Sequence, residues 1–400
     1  MTALTTPRDG TPRVLSTPGD FAAAASALAA GQGPLAIDTE RASAFRYDDR
    51  AFLVQIRRRG VGTFLLDPEG HRRDFTRALA PVLNGEDWII HAAPSDLPSL
   101  AWLGLYPGSL FDTEMAGRLA GFDHVNLASM IEMLFDVHLA KGHGAEDWSL
   151  RPLPAEWLAY AALDVELLLE LGDTMAEILD AQGKLDWASQ EFEHIRSGHA
   201  DITGPTDSTW RTMKGVSSLT RPEQLAVARE LWMARESIAV ADDRAVSRVL
   251  PTKVLIEVAR ALPRNAAALA RVRGFPARRR SAVRFWGEVV DRALASPPRT
   301  WPKREFTPRG VPSRQAWANE FPESFARFSA ARELLDALSL DLAIPTENIL
   351  KPATLRSVAW SSTVDREVRS PLDVPDLLRD HQARDWQIEL TLPILSETLF

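Results

Sequence analysis

The stretch GPLAIDTERASAFRYDDRAFLVQI, Gly33 to Ile56, decides how the rest of the chain is read. Leu35 to Thr39 forms a short apolar strand that ends in two acids, and a second strand opens at Ala51 after a polar loop. Side chains alternate faces along a strand, so Asp38 and Glu40 project to the same side. Two carboxylates behind an apolar entry offer oxygen ligands to a hard cation. An isolated Asp-x-Glu is more often a strand ending in solvated acids, so other parts of the chain must decide between the two.

Four hundred residues exceed what one hydrophobic core serves, and two or three domains are expected. No run approaches the roughly 20 apolar residues of a membrane span, and the N-terminus lacks the basic-then-apolar order of a secretory signal. Cysteine is absent, which excludes disulfides and thiolate metal sites and suits a cytoplasmic location. Any metal must then be held by Asp, Glu or His. The net charge of -8 argues at first against a nucleic-acid partner, but its distribution does not. Residues 1–200 carry 16 Lys and Arg against 29 Asp and Glu, whereas residues 205–290 carry 16 against 8. An acidic front joined to a basic middle suits a metal site coupled to a polyanion-gripping module.

Residues 1–16 are polar and turn-rich and are expected to be disordered, with Thr17 or Asp20 capping a helix through Ala30. Strands are predicted at 35–39, 51–58, 62–67 and 88–91, with a helix from His71 to Leu83. The segment HAAPSDLPSLAWLG (91–104) becomes helical at Pro94 or Ser95, Leu110-Phe111-Asp112 leads into another helix, and Asn126 to Phe135 is amphipathic. A helix starting near Pro154 is expected to continue past Leu171. Strands followed by strand–helix alternation indicate an α/β domain over 17–195. After a linker at 196–212 the pattern is wholly helical over 213–295. A Pro-rich basic linker, 296–313, precedes a further helical unit at 314–400.

Two further places change the reading of Asp-x-Glu. Asp96 stands in the first turn of a helix after a strand, where an Asp is usually a cap or dipole partner. Tyr160 and Asp164, in YAALD, are four apart on a helix and share a face, which by itself suggests only a half-buried pair. In this order the acids resemble the DEDD exonuclease superfamily, in the subgroup whose last motif carries Tyr. AIDTE, LVQI, IIHAAPSDL, FDTEMA and DWSLRPLPAEWLAYAALDVELL together resemble the ribonuclease D family over about residues 30–180. Residues 215–295 resemble its HRDC (helicase and RNase D C-terminal) domain, and the last 80 residues look like a second, weaker copy. The resemblance implies an RNase H-like (DnaQ-like) α/β exonuclease domain with a mixed sheet, followed by two all-α HRDC-like domains.

Carried over residue by residue, the resemblance assigns metal ligation to Asp38, Glu40, Asp96 and Asp164, and orientation of the attacking water to Tyr160. Two divalent ions, Mg2+ or Mn2+, suit an all-oxygen donor set and stabilise both the attacking water and the leaving 3′ oxygen. A phenol with pKa near roughly 10 positions water better than it abstracts a proton. Trp157 replaces a glutamine common three residues before that Tyr, which bears on substrate fit. Asp112, in FDTEMA, reads as a helix N-cap. Gln55, His91 and Lys141 are candidates for contact with the terminal nucleotides, though each also has a structural reading: sheet pairing, a core group, a solvated loop.

In LARVRGFPARRRSAVRFW (269–286), Arg271, Arg273, Arg278, Arg279, Arg280 and Arg284 surround Gly274. A glycine-centred turn exposes backbone N–H groups that, with guanidinium groups, grip phosphate without reading bases. The function implied by the resemblance is a 3′→5′ exoribonuclease releasing nucleoside 5′-monophosphates from tRNA precursors or other structured RNA; a cytoplasmic location is expected, and a monomer is favoured although the sequence does not give the oligomeric state. Its rivals are a DNA-directed repair exonuclease and a non-catalytic nucleic-acid adaptor. Nothing in the sequence reads the 2′-OH, whereas a binding module has no need of all five residues.

Overall fold

The computed structural model describes residues 2–140, 142–205, 208–304 and 310–400. Its strands are β1 (Thr2–Leu4), β2 (Val14–Leu15), β3 (Gln32–Arg41), β4 (Ala51–Arg59), β5 (Gly62–Leu66), β6 (Asp87–Ile90), β7 (Ser109–Asp112) and β8 (Val137–Leu139). Helices α1 (Pro18–Ala30), α2 (Arg72–Leu83), α3 (Leu97–Ala101), α4 (Thr113–Ala120), α5 (Leu127–Phe135), α6 (Ala155–Asp164), α7 (Leu168–Ala181) and α8 (Leu185–Gly198) complete the first domain.

Six strands form a mixed sheet in the order β2-β5-β4-β3-β6-β7. In the antiparallel run β3-β4-β5 a longer loop joins β3 to β4 and a tight turn joins β4 to β5, while β6 and β7 join parallel to β3 after helical crossovers. β3 and β4 are buried along most of their length, with apolar side chains on both faces. Opposite the step from Glu40 to Arg41, β4 carries one extra residue, Phe52, a bulge just past the two acids, the usual place for one beside a site.

Two expectations are corrected. Residues 2–16 are not disordered throughout: β1 pairs with β8, and β2 pairs with β5, closing a sheet edge that would otherwise present unpaired backbone groups. The long helix from Pro154 is broken at Val165–Leu167 into α6 and α7. The break turns buried Glu166 toward Arg57 of β4, with Nη1 3.2 Å from its carboxylate. Leu110-Phe111-Asp112 leads into a helix as expected: it lies in β7, whose last residue caps α4. Elsewhere the expected cap at Thr17 and Asp20 is present as a reciprocal capping box.

The remainder is helical among the described residues. α9 (Pro222–Ala241), α10 (Val246–Val249), α11 (Thr252–Ala261), α12 (Ala266–Ala270) and α13 (Arg280–Ala295) form one unit. α14 (Arg314–Glu320), α15 (Pro322–Leu342), α16 (Thr346–Ile349), α17 (Pro352–Thr363), α18 (Val374–Asp380) and α19 (Asp385–Leu399) form the other. The two units are alike in spacing: α9 and α15 begin at 222 and 322, α10 and α16 at 246 and 346. Leu250 and Leu350 each follow the short helix with extended backbone and are buried, as are the pairs Leu255/Leu355, Val258/Val358 and Ala259/Ala359. These apolar positions close each bundle.

Both units dock on the first domain. The loop between β3 and β4 holds the first: Arg50 forks onto Asp243 at 2.8 and 3.2 Å, Ala245 N–H donates to Phe45 O, and Arg248 Nε donates to Ala44 O. The second unit shares a continuous core with α4, α7 and α8. There Glu191, 2% exposed, accepts two bonds from Arg384 at 2.6 and 2.7 Å and one from Trp386 Nε1 at 2.8 Å. Lys184 Nζ bridges Leu119 O and Leu342 O. Removing one partner of a buried pair leaves an uncompensated charge, so Glu191→Ala is expected to destabilise the protein by about 3–5 kcal/mol. Thermal unfolding checks this, and an unshifted midpoint would mean that the C-terminal unit is not docked through this contact in solution.

Candidate active site

Antiparallel pairing sets Asp38 opposite Gln55, Thr39 opposite Val54 and Glu40 opposite Leu53. Asp38 and Glu40 therefore share a face, and α6 lies across it, bringing Asp164 down from above. Ligand oxygens of Asp38, Glu40 and Asp164 lie within 4.8 Å of one another. Glu40 is 6% exposed while Asp38 and Asp164 are half-buried, so the cluster is sunken yet reachable. Burial, then the neighbouring carboxylates, pushes Asp38 and Glu40 well above the usual carboxylate range. Asp164 is pushed up to about 7, mainly by burial. Three acids this close cannot all ionise without a compensating cation, and their all-oxygen set fits a hard divalent ion.

Asp96 stands beside this cluster rather than in it. Thr39 points to the opposite face of β3 from the acids on either side, and its hydroxyl donates to Asp96 Oδ1 at 2.6 Å. Ser99 Oγ donates to the Asp96 carbonyl at 2.9 Å and lies 3.1 Å from Thr39 Oγ1. Burial raises Asp96 to about 6 against the opposing pull of Arg41, whose Nη2 is 3.9 Å away. Arg41 also donates to Ser95 O. The turn carrying Asp96 is built by Asp112, which caps α4 through Glu114 N–H and Met115 N–H, as expected. It also accepts from Ala92 N–H and Ala93 N–H at 3.1 and 2.9 Å. Ala92 has a left-handed backbone, φ 57°, which those bonds hold in place.

Tyr160 stands one turn before Asp164. Burial, and next the negative charges of Asp164, Glu40 and Asp38, raise its phenol far above the ordinary range. The hydroxyl therefore remains protonated. The edge of His143 packs against this ring at 5.8 Å, and Trp157 fills the core between His143 and Trp148. Where a glutamine would supply a polar group, this chain has an indole in the packing. Arg151 secures the segment leading into α6 through Asp67, Phe52 O and Trp148 O.

The remaining candidates separate. Gln55 does not face solvent: β4 is an interior strand, and the amide is 0% exposed with neither Oε1 nor Nε2 hydrogen-bonded, directly across from Asp38. His91 bonds Thr113 Oγ1 at 2.9 Å and is lowered to about 4 by burial, so it is a neutral packing group bound inside the domain. Lys141 lies outside the described residues. The six arginines at 271–284 are exposed in the first helical unit, and of these only Arg284 makes an ion pair among the described residues, with Glu288 at 3.0 Å. Two residues escaped the sequence reading. Thr39 and Arg41 flank Glu40, and strand alternation places both away from the acids; only the turn holding Asp96 gives them a role.

A family model described as 3′-5′ exonuclease matches residues 12–180, an HRDC domain model matches 224–285, and a 3′ to 5′ exonuclease C-terminal domain model matches 310–399. The last stretch thus has a family description of its own beside the architectural duplication. The chain is 35% identical over 188 residues to a ribonuclease D of Gluconacetobacter diazotrophicus, covering 46% of this chain and 47% of the relative. In that alignment it spans about half the relative's length. It is 30% identical over 264 residues to a ribonuclease D of Jannaschia sp., covering 64% of this chain and 67% of the relative. A crystal structure of a protein from Bifidobacterium adolescentis is 34% identical with TM-score 0.84, covering 100% of this chain and 99% of that one. An Asp-x-Glu strand met by a Tyr-x-x-x-Asp helix, the same three matched segments and these relatives lead to one conclusion: the chain belongs to the ribonuclease D family.

Proposed function

We propose that the protein is a metal-dependent 3′→5′ exoribonuclease that removes nucleoside 5′-monophosphates one at a time from structured RNA, tRNA precursors being the leading substrate class. The convergence of Asp38, Glu40 and Asp164 within 4.8 Å, beside Asp96 and under Tyr160, carries this reading. Two divalent ions, Mg2+ or Mn2+, would be held by Asp38, Glu40 and Asp164 with Asp96 completing the donor set, and would supply the positive charge that hydrolysis of a phosphodiester requires. Thr39 and Arg41 hold the Asp96 carboxylate in one orientation. The protonated Tyr160 hydroxyl orients the attacking water and does not accept its proton at neutral pH. The exposed arginines of the first helical unit hold the body of the RNA while the acidic domain works on its 3′ end.

Asp38→Asn is expected to abolish nearly all cleavage of a 3′-labelled RNA while leaving its binding close to normal. Tyr160→Phe is expected to slow cleavage roughly 10- to 1000-fold, with metal affinity little changed. A fully active Phe variant would reduce the Tyr–Asp pair to a structural one. The same assay with DNA of identical sequence separates this reading from a DNA-directed exonuclease.

The raised acids also predict a signature independent of activity. Folded Asp164 titrates at about 7 and Asp96 at about 6, against an ordinary 3.8. The metal-free fold thus keeps protons that the unfolded chain has lost, and stability falls as pH rises through those folded values. Chelator-treated protein is expected to lose thermal midpoint between roughly pH 4 and 7, and magnesium or manganese to restore most of it. A flat profile, indifferent to metal, would contradict the site.

For the arginines, each phosphate contact to a single strand contributes about -0.7 to the slope of log affinity against log salt. Replacing Arg278, Arg279 and Arg280 with Ala is expected to weaken binding of long RNA and reduce the slope by up to roughly two units. An unchanged slope would make this a solvated face.

A further inference from the structure

We propose that Gln55 is a positioning residue for Asp38, its side-chain N–H groups holding the Asp38 carboxylate in one orientation when a divalent cation is bound. The inference rests on the metal-dependent reading of the acid cluster and adds to it a residue that ligates no ion.

Gln55 lies on β4, in register with Asp38 of β3 on one side and with Leu65 of β5 on the other. Residues directly opposite on antiparallel strands point to the same face, with Cβ atoms roughly 4.5–5.5 Å apart. The Gln55 side chain therefore leaves the sheet on the face that carries Asp38 and Glu40, the face packed against α6. Its neighbours there can be named one by one. Leu53, two residues earlier on β4, and Leu65 both belong to the apolar cluster formed with Trp148, Trp157, Ala161 and Ala162. Two residues later, Arg57 gives its guanidinium to Thr63 Oγ1 at 2.8 Å and to Glu166 at 3.2 Å. Apolar groups thus close two sides of the amide and a satisfied ion pair closes a third. The side that remains belongs to Asp38.

Within this enclosure the amide serves no contact of the fold that an apolar side chain could not serve. Gln55 is 0% exposed, and neither Oε1 nor Nε2 meets a hydrogen-bond partner in the protein. Burying an unpaired amide is costly, whereas an apolar group of the same shape in its place is neutral or stabilising. Asp38 lacks what Gln55 carries. The Thr39 hydroxyl holds Asp96 at 2.6 Å and the Tyr160 hydroxyl bonds Asp164, but no side chain bonds the Asp38 carboxylate among the described residues. An ionised carboxylate accepts at both oxygens, and a primary amide carries two donors. Carboxylates that ligate metals are themselves hydrogen-bonded from outside the ligand set, which fixes their orientation. With the acids ionised on a cation, the Gln55 amide gains the acceptor that it lacks in the metal-free fold.

The test is Mn2+ binding to the full chain without RNA, followed by calorimetry, beside the thermal midpoint of chelator-treated protein. Gln55→Met removes both polar atoms and nearly keeps the length and volume of the side chain. The variant is expected to keep or raise the metal-free midpoint, because it relieves an unpaired amide, and to bind Mn2+ roughly 10- to 100-fold more weakly. A side chain that merely packs gives the reverse pattern. Unchanged Mn2+ affinity overturns the proposal. So does a lowered metal-free midpoint or a variant that does not fold, since either marks the amide as structural. Wild-type protein that takes up no Mn2+ fails at an earlier point, removing the metal site itself and with it the role of Gln55.

Discussion

Mutual repulsion among Asp38, Glu40 and Asp164 is the constraint around which this molecule is arranged. Three carboxylates within 4.8 Å, partly withdrawn from water, are held together only because a buried sheet and a helix clamped across it leave them no other place. β3 contributes two from one strand face, and the break after α6 frees the third from the rest of a longer helix. Glu166, inside that break, reaches Arg57 on β4, and Arg151 ties the approach to α6 to the end of β5. Each anchor opposes the separation that the charges would otherwise favour. Burial, and with it this repulsion, disfavours the ionised acids without a cation, and their all-oxygen set fits a hard divalent one.

Around the cluster, polar groups have been assigned distinct positions by the alternation of β3. Asp38 and Glu40 face α6; Thr39 faces the turn at Asp96. One three-residue stretch thereby organises both sides of the site. Gln55 is the unresolved member: a wholly buried amide in register with Asp38 whose two polar atoms find no partner in the protein. It is wholly buried on an interior strand and not at a sheet edge.

The helical units are more firmly part of the enzyme than linkers of Pro, Gly and charge imply. The second shares its core with α4, α7 and α8 and places Lys184, Glu191 and Trp386 in bonds that cross the boundary. The first is fixed by a loop that begins two residues after Glu40, so the chain immediately following the acids also sets the width of the adjoining cleft.

The primary sequence determined the parts of this protein that depend on local period and on residue chemistry. Alternation put Asp38 and Glu40 on one face, helical spacing put Tyr160 and Asp164 on one face, and the charge count separated an acidic front from a basic middle. The caps at Thr17 and Asp112 were legible for the same reason, because a cap is satisfied within a few residues. Tertiary structure alone decided what depends on pairing across long separations. Val14 and Leu15 became a strand because β5 had a free edge, and the helix after Pro154 broke where Glu166 met Arg57. Arg41 gained its place from a turn 54 residues away, and Tyr47, Trp102 and Lys214 came to line one cleft only when the units docked. Such contacts leave no period in the chain, since the partner that fixes each residue is distant in sequence and is chosen by packing.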